Sequence, residues 1–289
     1  MASGTAGTVG ARLGEAVRIA SPPQSDRLSR RLAAAAVLVP LGLGLTWAGG
    51  WAFAAMIIGF AGLMGSEWSR ICGFLDGRVG GWALPVGLVL LMVAAEADHR
   101  YLAAGMVGVG LAIALLIMHA GSAGSKRAGW LAVGVAGILP AGLSLLWMRG
   151  LEPDGMALIF WVMLVVWVTD SAAYAVGRSV GGPRLAPRIS PAKTWSGLLG
   201  GLAAATLVGG LAAMILTGGA FGPAALAGLA VGIAGGLGDL FESHLKRQFK
   251  VKDSGGLIPG HGGVMDRLDS LLAAAPVTAA LNLAGWHWL

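Results

Sequence analysis

Residues Ala157 to Thr169 read ALIFWVMLVVWVT, an apolar run that ends at Asp170. A membrane helix needs about 20 mostly apolar residues to cross roughly 30 Å of hydrocarbon. Extended to Gly177, this run is long enough, and it sets the terms on which the rest of the chain is read. Similar segments lie at 32–48, 50–66, 81–95, 101–119, 129–148, 196–217, 223–241 and 268–288, which with 157–177 makes nine candidate spans. The sequence therefore predicts an all-α fold, a polytopic transmembrane helical bundle. Almost nothing separates 32–48 from 50–66, so these two should form a tight helical hairpin. Pro40, Pro85 and Pro140 fall within spans, which a bundle tolerates when neighbouring helices satisfy the freed backbone groups.

Composition agrees. Of 289 residues, 56% are hydrophobic and only 12% charged, and the mean hydropathy is +0.76. A soluble domain carries about twice that charged fraction. The 49 glycines sit inside the apolar runs, where small residues let membrane helices approach closely. The single cysteine, Cys72, excludes an intrachain disulfide framework and a multi-cysteine metal site. It reads as an inert thiol near the membrane. The net charge of +6 fits cytoplasmic loops facing anionic lipid. No nucleic-acid-binding motif is present.

Residues 1–31 are polar and contain Arg12, Arg18, Arg27, Arg30 and Arg31. No apolar core precedes a small-residue cleavage site, so the segment reads as a cytoplasmic tail rather than a cleaved signal. With that end inside, every one of the 20 basic residues falls on the inner side except Arg100 and Arg149. Such a bias orients a membrane protein. An odd number of spans then places the C-terminus outside, with Trp286 and Trp288 as interfacial anchors. The organisation is a tail (1–31), N-terminal spans (32–150) and a C-terminal membrane region (151–289). That region carries two polar, basic cytoplasmic loops, 178–195 and 242–267. Any chemistry should occur there, on the face where nucleotides are.

The second loop and its border read SHLKRQFKVKDSGGLIPGHGGVMDRLD, from Ser243 to Asp269. Lys246, Arg247, Lys250 and Lys252 form a positive cluster, and Arg267 follows. Asp253, Asp266 and Asp269 supply carboxylates, with Asp239 and Glu242 just upstream. Gly255, Gly256, Gly260, Gly262 and Gly263 permit tight turns around His261. Carboxylates that hold Mg²⁺, with cations and backbone amides that take phosphate oxygens, suit a metal-bound polyphosphate. Nucleotidyl transfer depends mainly on such positioning and charge neutralisation. An ordinary positive-inside loop explains the cations, but not the interleaved aspartates, glycines and histidine.

Asp266 and Asp269, three residues apart, share a helix face and could simply stabilise a helix N-terminus by about 0.3–1 kcal/mol. Asp239 is placed by the span prediction near a helix C-terminus, where it needs a compensating cation. Asp170 lies at membrane depth, where ionisable groups are costly and are usually paired or functional. Tyr174 and Arg178 follow at one and two turns, then Arg184, Arg188 and Lys193. His261 suits phosphate contact or loop structure better than general-base work, because a phosphate monoester dianion is already nucleophilic. Ser243 has no adjacent base to activate it, and Glu67 is a weaker candidate than these carboxylates.

These residues resemble a known family, the phosphatidate cytidylyltransferases. Its signature is Ser-x-x-Lys-Arg, four residues, Lys-Asp, then Pro-Gly-His-Gly-Gly-x-x-Asp-Arg-x-Asp. Here it matches Ser243, Lys246, Arg247, Lys252, Asp253, Pro259, Gly260, His261, Gly262, Gly263, Asp266, Arg267 and Asp269. Gly238, Asp239, Leu240, Glu242 and Ser243 also look like the family. So does Asp170–Tyr174–Gly177–Arg178, with Ile189-Ser190-Pro191 and Lys193-Thr194. Ala172, Ala173 and Ser196 depart from its usual residues, and outside 168–270 the chain resembles it only as a set of spans.

The resemblance implies transfer of CMP from CTP to phosphatidic acid in a bacterial cytoplasmic membrane, giving CDP-diacylglycerol and pyrophosphate. It implies Mg²⁺ held by Asp239 and Asp266, a monovalent ion such as K⁺, and a homodimer. CTP would arrive from the cytoplasm, and the membrane lipid from the inner leaflet. The basic residues, with Asp253, His261 and Asp269, complete the implied catalytic set. Asp170, Tyr174, Arg178, Lys193, Thr194, Ser243, Gly262 and Gly263 complete the implied substrate site. Two rivals remain at this stage: another lipid phosphate as acceptor, such as an archaeol-type or polyprenyl one, or a transporter using Asp170 as a coupling carboxylate. Transport needs a polar pathway reaching both faces, whereas the ionisable spans are charged only at their inner ends.

Overall fold

The computed structural model describes residues 24–73, 82–121, 126–257 and 262–289. Among these, the helices are α1 (Gln24–Ala48), α2 (Gly50–Ile71), α3 (Ala83–Asp98), α4 (Tyr101–Gly121), α5 (Lys126–Arg149), α6 (Gly155–Val180), α7 (Trp195–Thr217), α8 (Phe221–Gln248) and α9 (Met265–Leu283). The all-α expectation holds, and the chain is a polytopic helical membrane protein. Among the described residues, six helices are long and apolar enough to cross a bilayer: α2, α4, α5, α6, α7 and α8. The other three fall short for identifiable reasons. The described apolar part of α1 is Ala36–Ala48, and α3 has only 16 residues. Asp266, Arg267 and Asp269 occupy the first turns of α9.

The predicted tight hairpin is present. Gly49 alone separates α1 from α2 and has a φ of 66°, a conformation that costs glycine little. Arg149, at the end of α5, donates from Nε to the Thr46 carbonyl at 2.9 Å and from Nη2 to the Trp47 carbonyl at 3.2 Å. It thereby satisfies carbonyls that the end of α1 leaves open. Pro85 lies in the first turn of α3, where its missing N–H would have had no helical partner. Cys72 caps α2, and burial pushes its thiol up to about 12, consistent with an inert role.

The bundle has a well-packed centre and a lipid-like flank. In the spanning window of α5, 61% of residues are buried, against 11% in α4. Leu102, Met106, Val109, Ile113 and Ile117 line the exposed side of α4, as expected where the solvent is hydrocarbon. Around α7 the helices approach to backbone contact. A Cβ on Gly201 would lie 2.9 Å from the Thr169 carbonyl, and one on Gly228 only 2.4 Å from the Ala205 carbonyl. Small residues at these crossings let α6, α7 and α8 touch along their backbones, and Trp161 Nε1 donates to the Gly209 carbonyl at 2.8 Å.

Several predicted boundaries shift. The polar tail was drawn to residue 31, but α1 starts at Gln24. The last span was drawn to 288, yet α9 ends at Leu283. Trp288 is no interfacial anchor: it is buried, with its ring centroid 5.1 Å from that of Trp161. The largest corrections concern the two loops expected at 178–195 and 242–267. Helix α8 continues to Gln248, so Glu242, Ser243, Lys246 and Arg247 are helical. Good helix formers and the Glu242–Lys246 pair, four residues apart, carry the helix past its apolar part. Helix α6 likewise runs to Val180, and the remainder of loop 178–195 folds into an antiparallel ribbon of β1 (Arg184–Ala186) and β2 (Ser190–Thr194). Thr194 closes the ribbon and caps α7, its Oγ1 accepting from the Gly197 amide at 3.1 Å.

Candidate active site

The C-terminal ends of α6 and α8 and the N-terminal end of α9 meet beside the ribbon. Because α8 continues past Asp239, the compensation inferred for a helix C-terminus comes instead from a distant residue. Lys193, on β2, donates to Asp239 Oδ2. Ser243, one turn further along α8, donates to Oδ1 at 3.4 Å. The Lys193 and Asp239 side chains are 28% and 26% exposed. The pair adjoins a cavity of about 820 Å³, which Asp170, Tyr174, Arg178, Arg184 and Thr194 also line.

The second ion pair is closed. Lys246 donates to Asp266 Oδ1 at 2.7 Å and to Glu242 Oε2 at 3.2 Å. The Lys246, Glu242 and Asp266 side chains are only 12%, 5% and 9% exposed. Asp266 Oδ2 accepts the backbone N–H groups of Ser254 and Gly263 at 2.8 and 2.9 Å. Burial disfavours the Asp266 charge, but the Lys246 contact and the two amides outweigh it, holding the carboxyl below its ordinary range.

Two further carboxyl groups lie near Asp239. Asp170 and Asp269 are both within electrostatic reach of Asp239. Asp170 Oδ1 accepts from Ser270 Oγ at 3.4 Å. Glu242 Oε1 is buried with no donor reaching it among the described residues, and the Glu242 carboxyl lies against that of Asp269. Two facing acceptors need a proton or a cation between them.

The remaining predicted residues sit at the margins. Tyr174 is largely exposed, 69%, and Arg178, Lys252, Asp253 and Arg267 are exposed too. Arg247 donates from Nε to the Ile189 carbonyl at 3.3 Å, tying α8 to the ribbon turn. Gly262 has a φ of 86° beside the Asp266 carboxylate. His261, with Pro259 and Gly260, lies outside the described residues.

Sequence reasoning ranked Glu67 low, yet it is among the most fully buried side chains. It is 2% exposed, near the C-terminal end of α2. Its Oε1 accepts from the Val264 amide at 2.9 Å, and its Oε2 from the Met265 amide at 2.9 Å and Ser254 Oγ at 3.1 Å. A charged residue at the end of an apolar span was its only signal. Ser254 and Ser270 gave none.

The donor set fits Mg²⁺ in part. Among the described residues, no three acidic, His or Cys side chains form a ready-made metal cage. Mg²⁺ is commonly held by one or two carboxylates together with substrate phosphates. Asp239, beside the cavity and close to other carboxylates, has that character, and the Glu242 oxygen that has no donor among the described residues adds to the local demand for a cation.

The chain has relatives among known proteins. The sequence profile described as the Cytidylyltransferase family matches residues 29–284. A phosphatidate cytidylyltransferase of Brucella suis is 43% identical over 255 residues, covering 86% of this chain and 91% of its own. One from Pseudomonas aeruginosa is 42% identical over 269 residues, covering 90% and 98%. One from Bacillus subtilis is 43% identical over 129 residues, 44% of this chain and 48% of its own.

Proposed function

The chain belongs to the cytidylyltransferase family, and from that premise we infer that it transfers CMP from CTP to phosphatidic acid, giving CDP-diacylglycerol and pyrophosphate. The observation that carries this beyond kinship is the partly open Lys193–Asp239 pair beside a cavity bordered by Arg178 and Arg184. A polyphosphate entering that cavity can take over the lysine and leave the carboxylate free for a cation.

The reaction is a direct displacement. A phosphate oxygen of phosphatidate bonds to the α-phosphorus of CTP, the bond from that phosphorus to the bridging oxygen breaks, and pyrophosphate leaves. Lys193, Arg178 and Arg184 neutralise phosphate oxygens on the ribbon side, with Lys252 and Arg267 on the loop side. Lys246 holds Asp266 in place. When bound, Mg²⁺ held by Asp239 and Asp266 would offset charge on the phosphates and the leaving group. No base is required, because phosphatidate carries its own anionic oxygen. Asp170, held mainly by Lys193, orients the lysine side of the site.

The finer assignments belong to the same proposal: nine spans, with α1, α3 and α9 added to the six that are long and apolar enough among the described residues, and an N-terminus and active site in the cytoplasm. A monovalent ion such as K⁺ and a homodimer follow from family resemblance. Pyrophosphate release by purified protein in mixed micelles tests the whole reading. Release that needs CTP, phosphatidate and Mg²⁺ together, with stoichiometric CDP-diacylglycerol, supports it. No release from folded protein across varied lipids and monovalent ions removes it.

A further inference from the structure

Glu67 comes from the N-terminal half of the chain, far in sequence from the catalytic motif, yet it is built into that motif. Its two oxygens accept from Ser254 Oγ and from the amides of Val264 and Met265, at 2.9–3.1 Å. These donors bracket the glycine-rich loop and open α9. The loop is also moulded to the carboxylate. A Cβ on Gly263 would lie 2.7 Å from both Glu67 oxygens and 2.0 Å from Ser254 Oγ, and one on Gly255 would lie 2.9 Å from Oε1.

The same short segments hold Asp266. Ser254 gives its hydroxyl to Glu67 and its amide to Asp266. Gly263 gives its amide to Asp266, and the next amide, Val264, goes to Glu67. The two carboxylates therefore both hold the described flanks of the loop, one from α2 and one from α9.

We propose that Glu67 is a positioning residue for the reaction, acting through Ser254 and Gly263 to fix the Asp266 carboxylate and, through it, Lys246. Displacements near 1 Å at a reacting centre can cost about 100-fold in rate, so such a clamp acts on turnover as well as on stability. Its negative charge also faces the N-terminus of α9, where an anion is favoured. Glutamine cannot replace it faithfully, because its amide NH₂ would confront a backbone N–H or the Ser254 hydroxyl where the carboxylate accepts.

The kinetic arm of the test rests on the cytidylyl-transfer reading, while the exchange arm does not. Full-length wild type, Glu67→Gln and Ser254→Ala are compared in detergent micelles by hydrogen exchange over 250–268 and by steady-state kinetics. Glu67→Gln should exchange about tenfold faster or more at 263–266, with helices remote from the loop unchanged. Its kcat should fall about 30-fold while KM for CTP moves less than about threefold. Ser254→Ala removes one arm and should show the same pattern at about three- to tenfold; it decides the matter if Glu67→Gln does not fold. Added to Glu67→Gln, it should cost little more, because both act on one clamp. A kcat within about threefold of wild type in the decisive variant overturns the proposal, whatever the melting temperature does. So does a fall in kcat with unchanged exchange in the loop. If wild type itself releases no pyrophosphate, the functional reading fails, and the exchange arm alone decides the clamp.

Discussion

Asp239 and Asp266 belong to the same motif and each takes a lysine, yet their surroundings differ. Asp239 meets Lys193 from the ribbon, both about a quarter exposed beside the cavity. Asp266 is gripped by Lys246 and two backbone amides, with Glu242 sharing the same lysine in near-complete burial. An ion pair with solvent access contributes little to stability and is readily exchanged. A buried pair costs much to break, because one charge is then left without its partner. The open pair suits a site where a ligand's charge is swapped in. The closed pair suits a fixed frame against which that ligand is set.

Removing the lysine of the closed pair should have the largest effect. Lys246→Met leaves Glu242 and Asp266 buried together without a cation. By the usual cost of breaking a buried pair, stability should fall by about 3–5 kcal/mol, read as a lower melting temperature in micelles. A melting temperature equal to wild type would show that the pair is wetter than the structure has it. Asp266→Asn should abolish most turnover, with a loss on the order of 10³-fold in kcat, and lower stability by less than Lys246→Met, because Lys246 keeps Glu242 as a partner. Near-normal turnover would remove Asp266 from the metal and catalytic assignments.

On the open side the two readouts should separate. Asp239→Asn should lower kcat by on the order of 10²-fold or more and raise the Mg²⁺ concentration for half-maximal rate, with a nearly unchanged melting temperature. If stability drops as far as in Lys246→Met, the distinction between an exchangeable and a fixed pair is wrong.

How much of this was legible follows from distance along the chain. The helical bundle could be read from local apolar runs, and Asp239, Lys246 and Asp266 from their fixed spacing. The boundaries could not, because hydropathy reports where a bilayer ends rather than where a helix does, and α8 continues to Gln248. The ribbon strands are too short for an alternating pattern. Lys193–Asp239 and Glu67–Val264 join residues 46 and 197 positions apart, and no local pattern encodes either. The bundle sets them by placing the ends of α2, β2, α8 and α9 together.

The smallest effect falls between the two pairs and tests how they are joined. Ser270, one residue after Asp269 on α9, donates to Asp170 on α6 at 3.4 Å. That is a long bond, and Asp170 also feels both Lys193 and Asp239. If Asp170 is held mainly by Lys193, Ser270→Ala should change kcat by less than about threefold, since one weak neutral-to-charged hydrogen bond is lost. It should also leave the KM for CTP in place. A tenfold or greater rise in that KM, on the order of 1.4 kcal/mol of lost binding, would mean that α9 reaches the open pair through Ser270. Asp239 and Asp266 would then work as one coupled unit, and the contrast between an exchangeable side and a fixed side would have to be redrawn.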